Sequence, residues 1–172
     1  MRGGGGWIWF RPVPAAVAVC LVLVALVVLA RLDPARARPW ARVLTAVSVV
    51  GILGLTMLGG STASGSSNLI PGRTIVEELT GGTPLGVFNV VGNVAMFVPF
   101  GWLLVLAAAR RPLVLAVVAG VGLSVVIELV QSLIGRVSDI DDVMLNGTGA
   151  VVGACGALLL RAATRSERAA QT

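Results

Sequence analysis

Five apolar runs, each close to the length of a bilayer crossing, are separated by short segments that hold nearly all the charge. They extend over Val13 to Ala30, Val43 to Leu58, Val87 to Ala108, Pro112 to Ile134 and Val143 to Leu160. A hydrocarbon core about 30 Å thick is crossed by roughly 20 helical residues. In lipid each run must satisfy its own backbone polar groups, which a helix does internally. Composition agrees. Charged residues make up 12% of the chain and hydrophobic ones 56%, against about 25% charge in an average soluble domain. The expected fold is an all-α membrane protein, a bundle of about five transmembrane helices.

A cleavable signal peptide competes for the first run, because Arg2 and Arg11 precede it and Ala35-Arg36-Ala37 resembles a cleavage site. That apolar core exceeds the usual h-region of about 7–15 residues, and further spans follow, so it is read as a retained helix. Residues 1–12 hold Trp7, Trp9 and Phe10, which suit an interfacial anchor. Arg31, Arg36, Arg38 and Arg42 surround Pro34 and Pro39 in a basic turn. Gly60 to Gly86 is the one substantial loop, in which Thr74–Leu79 forms a short interfacial turn. Pro99 removes a backbone donor inside the third run and is expected to kink it. The chain divides into residues 1–60 with two spans, 61–161 with the outer loop and three spans, and a polar cytoplasmic tail at 162–172.

All thirteen basic residues are Arg. With five crossings, the Arg residues at 31–42, Arg110, Arg111, Arg161, Arg165 and Arg168 share one side, which makes nine; Arg2, Arg11, Arg73 and Arg136 share the other. The positive-inside rule therefore sets the N-terminus outside and the C-terminus inside. Split in this way, the Arg residues form no stripe for nucleic acid. The chain has no His, which excludes His-based metal sites and catalytic triads. Cys20 and Cys155 lie in apolar runs and read as small buried hydrophobes, not as a disulfide. The bilayer is the partner that composition itself names.

Four of the eight acidic residues, Glu128, Asp139, Asp141 and Asp142, fall between Glu128 and Gly153. Ionisable groups at membrane depth are costly and read as a functional site by default. Glu128 and Gln131 are three apart on one helical face, and Glu128 sits about 9 Å inside the boundary counted from Ile134. At that depth it is protonated, paired or hydrated. Arg136 is a partner only if the chain folds back, since eight helical residues span about 12 Å. A structural salt bridge is the alternative. Asn89 and Asn93, four apart, share a face of the third span; interhelical glue is the competing reading. Asp139 or Asp141 could cap the last helix, but one cap does not require three Asp. Asp142 and Asn146 again are four apart. An oxygen-only set would suit Mg²⁺ or Ca²⁺, yet the spacing matches no defined metal loop, and the residues name neither a metal nor another cofactor. Gly149, Gly153 and Gly156 form a small-residue face that draws the last helix close to the third or fourth span.

These residues resemble the VanZ-like family of small bacterial membrane proteins. The resemblance runs from Asn68-Leu69-Ile70-Pro71 through Asn89, Gly92, Asn93, Phe97, Pro99 and Gly101, then Glu128 and Gln131, then Arg136, Asp139, Asp141 and Asp142, and Asn146 with Gly149. It covers roughly Asn68 to Gly156 and leaves the first two spans without a diagnostic motif. It implies a role at the bacterial envelope, where the family's namesake is associated with low-level resistance to the glycopeptide teicoplanin; it implies no catalytic roles.

The expected site faces outward. Asn89, Asn93, Gln131 and Asn146 would hydrogen-bond a polar or lipid-linked envelope precursor, together with Asp139 and Asp141, while Arg136 would pair with phosphate or carboxylate. Glu128 or Asp142 would act as acid or base if chemistry occurs. Two other classes compete: a non-catalytic module whose polar cluster locks helices together and whose loops bind a partner, and a carrier that uses Glu128 as a relay.

Overall fold

In the computed structural model of the chain the described residues are 12–58 and 67–171, with side chains described for 19–57 and 67–171. The expected anchor at Trp7, Trp9 and Phe10 lies outside them. The described residues form six helices: α1 (Pro12–Arg31), α2 (Pro34–Leu58), α3 (Arg73–Thr80), α4 (Pro84–Ala107), α5 (Pro112–Leu133) and α6 (Ile140–Ala169). Helices α2, α4, α5 and α6 are long and apolar enough to cross a membrane, and Val19–Arg31 of α1 is a shorter apolar stretch. The chain is thus an all-α membrane bundle, with four helices long and apolar enough to span and a further apolar helix, α1.

Local chemistry sets the helix ends. Asp33 starts α2, its Oδ1 accepting from the Ala35 N–H at 2.8 Å, with Pro34 in the first position, where its missing N–H costs nothing. Helix therefore begins at Pro34 rather than Val43, and the expected basic turn is the first part of α2. Thr83 caps α4, accepting from the Gly86 N–H at 3.2 Å, and Pro84 follows it. Pro99 sits within α4, which remains helical to Ala107. Helix α5 ends in a Schellman motif: Gly135 has φ of 78°, and the N–H groups of Gly135 and Arg136 reach the carbonyls of Ser132 and Gln131. Helix α6 continues past Leu160 to Ala169, so the expected polar tail is largely helical.

Helix α6 packs most extensively on α4, and both touch α5 and α1. Glycine makes the α4–α6 approach possible. A Cβ on Gly149 would strike the Val94 carbonyl, one on Gly153 the Val98 carbonyl, and one on Gly101 the Ala150 carbonyl. Gly156 lies against the Trp102 ring, whose indole N–H donates to the Leu26 carbonyl at 3.2 Å and ties α4 to α1. The small-residue face of the last helix thus meets the third apolar run, one of the two partners expected for it. Two apolar clusters fill the bundle. Leu26, Leu29, Leu103, Val105 and Leu106 mark one near the α1–α2 turn, and Ile52, Phe97, Phe100, Ile127 and Ala150 form the other. Outside them, exposed residues such as Val22, Val50, Phe88, Val118 and Leu159 give the bundle an apolar exterior suited to lipid. Cys20 and Cys155 are free, as expected, but lie on that exterior rather than in the core. Each falls on a helix side that no neighbour covers.

Candidate functional site

Chain direction gathers the polar residues at one end of the bundle. The end of α2, the 67–82 segment, the start of α4, the end of α5 and the start of α6 all meet there. The 67–72 segment docks on the α5–α6 connection through an isolated parallel bridge between Asn68 and Asp139. The Asn68 N–H donates to the Ser138 carbonyl and the Ile140 N–H donates to the Asn68 carbonyl, each at 3.0 Å. The short helix α3, close to the turn expected at Thr74–Leu79, extends from this docked segment.

Five of the expected site residues bond to main chain. Asp141 is fully buried, and its two oxygens accept from the N–H groups of Gly72 (2.5 Å) and Ile75 (3.2 Å). Gly72 is the α3 N-cap and has no side chain, so Asp141 supplies that cap from 69 residues away. Asp139 caps its own helix through the Asp141 N–H at 2.9 Å, and also accepts from Asn68 Nδ2 at 3.0 Å and the Thr74 hydroxyl at 2.6 Å. Glu128, 6% exposed, accepts on Oε2 from the Asp139 N–H at 2.8 Å and the Ser138 hydroxyl at 3.0 Å. Gln131 Nε2 and Arg136 Nη1 both donate to the Thr56 carbonyl, at 3.2 and 2.7 Å, closing the end of α2 onto α5. The Schellman turn thus folds the chain back as the Arg136 pairing would require, but the guanidinium bonds the α2 carbonyl, and Glu128 is held by neutral donors. Among the described residues the only salt bridge is Arg73–Glu77, on exposed α3.

The other four bond side chain to side chain. Asn93 Nδ2 on α4 donates to Asp142 Oδ1 on α6 at 2.6 Å. Asn89, one turn nearer the end of the bundle, donates to Glu78 of α3 at 3.0 Å. One turn deeper than Asp142, the Asn146 Nδ2 donates to the Ser124 hydroxyl at 2.8 Å. Asn146 is 3% exposed, and its Oδ1 is buried with no hydrogen-bond partner. Asp142 sits in the fields of Glu128, Asp139, Glu78 and Asp141, all of its own sign. No group of three or more acidic or thiol side chains among the described residues is arranged to hold a metal ion.

Sequence reasoning missed Ser124, Ser138, Thr74 and Glu78 as members of this network. Ser124 was findable, lying four residues before Glu128 on the same α5 face. Ser138 stands inside the Arg136–Asp142 run. Thr74 and Glu78 carry no such signal, because their roles depend on how the 67–82 segment folds back.

Fold and network together define a polytopic α-helical membrane protein whose polar residues converge at one end of the bundle, with the connecting segments locked over them. A family model, VanZ/LLP1, matches residues 16–161. The chain belongs to that family, and the match begins inside α1, well before the motifs at Asn68. No curated protein and no solved structure matches it.

Proposed function

We propose that this chain works in the bacterial plasma membrane, with its acidic end outward. There it binds the polar or lipid-linked headgroup of an envelope precursor and alters susceptibility to a glycopeptide such as teicoplanin. The observation that carries this reading is the pair Asn93–Asp142 above a buried Asn146 whose Oδ1 has no partner. A buried unsatisfied carbonyl is costly and invites a donor. Asp142, Asn93 and Asn146 offer both donors and acceptors to a hydroxyl- or amide-bearing group, and Arg136, engaged only through Nη1, has guanidinium donors left for an anionic one. The residues bonded to main chain form the frame that holds this group in place. Binding alone satisfies the reading; if a reaction occurs, Asp142 is the first acid or base to test, with Glu128 second.

The test is growth inhibition by teicoplanin, with vancomycin alongside, in strains carrying no copy, the wild-type gene or Asp142→Asn at matched membrane abundance. Wild type is expected to raise tolerance and Asp142→Asn to lose that effect. Equal protection by the variant would remove Asp142 from the reading, and no protection by either would sever the link to glycopeptides.

A second reading, a module that serves structure or partner binding alone, is favoured by a specific observation: Glu128, Gln131, Arg136, Asp139 and Asp141 all bond backbone groups. It predicts that Asp142→Asn matters only as far as it changes the amount of folded protein.

A further inference from the structure

The opposite end of the bundle carries a second, independent feature. Between the α1–α2 turn and the last turns of α6 lies a cavity of about 70 Å³, lined in part by Ala30, Leu32, Arg161, Thr164, Arg165 and Arg168. Several waters or one tetrahedral oxyanion fit in it, since a single water needs roughly 10–15 Å³ on the same measure. Its polar lining is cationic, with no carboxylate. Arg161 Nη2 is buried there without a hydrogen-bond partner, and the charges acting on Arg161 are those of Arg165 and Arg38, both of its own sign. Arg168 spends one donor on the Arg31 carbonyl at 2.8 Å, which ties α6 to the α1–α2 turn and closes one side.

Clustered guanidinium groups repel one another, and the buried Nη2 of the half-buried Arg161 lacks an acceptor that an anion would supply. We propose that this cavity binds a phosphate-bearing anion. The guanidinium fork of Arg161 meets two phosphate oxygens, Arg165 supplies a second cation, and the Thr164 hydroxyl offers a further donor. The three Arg residues follow the last apolar run of α6, Val143 to Leu160, as basic residues at a lipid–water boundary do. Basic clefts between transmembrane helices suit such headgroups. A soluble phosphate compound presents the same chemistry.

The experiment uses purified full-length protein. In phosphate-free buffer it is equilibrated with phosphatidylglycerol or phosphatidylcholine, and bound lipid is counted by native mass spectrometry. A parallel arm adds inorganic phosphate to protein in phosphatidylcholine and reads the thermal midpoint. Wild type is expected to retain phosphatidylglycerol preferentially or to be stabilised by phosphate. The double variant Arg161→Gln/Arg165→Gln is expected to weaken that binding about tenfold or more, and Arg161→Lys by less, because charge remains but the fork is lost. Arg110→Gln/Arg111→Gln removes as much charge at the same end but outside the cavity, and is expected to stay within about twofold. Should the double variant fail to fold, Arg165→Gln alone, at an exposed position, gives the reading. Lipid selectivity identifies a phospholipid headgroup as the source of the phosphate; stabilisation by inorganic phosphate without lipid selectivity identifies a soluble one. Absence of both effects, or an equal loss in the Arg110/Arg111 control, overturns the site.

Discussion

Glu128 illustrates how a residue read as a cost becomes a joint. A carboxylate near membrane depth needs donors, and Oε2 finds two neutral ones on the α5–α6 connection, the Ser138 hydroxyl and the Asp139 N–H. One oxygen accepts both bonds, so Glu128→Gln keeps them through its amide oxygen. We expect Glu128→Gln to hold wild-type amounts of folded protein. Glu128→Leu, which strands a backbone N–H, is expected to lose about 1–3 kcal/mol, read as thermal stability in detergent. The sequence marks Glu128, Gln131, Arg136 and the Asp run as special because charge beside apolar runs is rare. Their individual partners were not legible. Which donor reaches Glu128 depends on the Gly135 turn, and which helix Asp141 caps depends on a segment 69 residues away.

At the scale of elements, the α4–α6 seam is the most specific packing in the bundle. Gly149, Gly153 and Gly101 each face a backbone carbonyl of the partner helix, and backbone cannot move aside as a side chain can. Gly153→Ala is expected to cost about 1–3 kcal/mol by overpacking. Gly92→Ala, on the same α4 but with nothing near its Cβ position, is expected to be neutral or mildly stabilising. Thermal midpoints of the two variants check the contrast. The small-residue spacing announced this seam from sequence alone, since period and residue size are local properties. Helix starts were less legible: Pro34 reads as a turn residue, yet behind the Asp33 cap it opens α2. The surplus of Asp in the Arg136–Asp142 run has a concrete explanation in the element that lacked a cap of its own. Asp139 caps α6, Asp141 caps α3, and Asp142 is left to pair with Asn93.

Across the whole molecule, charge is segregated by chain direction. Glu77, Glu78, Glu128, Asp139, Asp141 and Asp142 stand at one end with Arg73 and Arg136, and nine Arg residues with only Asp33 and Glu167 at the other. By the positive-inside rule the Arg-rich end is expected at the cytoplasmic surface, which leaves the other end outside. A green fluorescent protein fused at the C-terminus is therefore expected to fluoresce, and alkaline phosphatase at the same position to be inactive; the reverse pattern would invert the topology. Fold class and location of the polar end were legible because apolar length and charge placement survive without coordinates. The division of that end into residues bonded to main chain and residues bonded side chain to side chain was not, because it rests on which atoms meet.

That division is tested most directly by the thermal midpoints of Asp141→Asn and Asp142→Asn, measured side by side in purified protein. Asp141 uses both oxygens on backbone N–H groups, so an amide there turns one acceptor into a donor facing a donor. Asp142 uses one oxygen, on Asn93, and stands among other carboxylates, so an amide keeps the bond and relieves repulsion. The account predicts that Asp141→Asn falls by about 1–3 kcal/mol of stability while Asp142→Asn equals or exceeds wild type. A stable Asp141→Asn beside an unstable Asp142→Asn would contradict it.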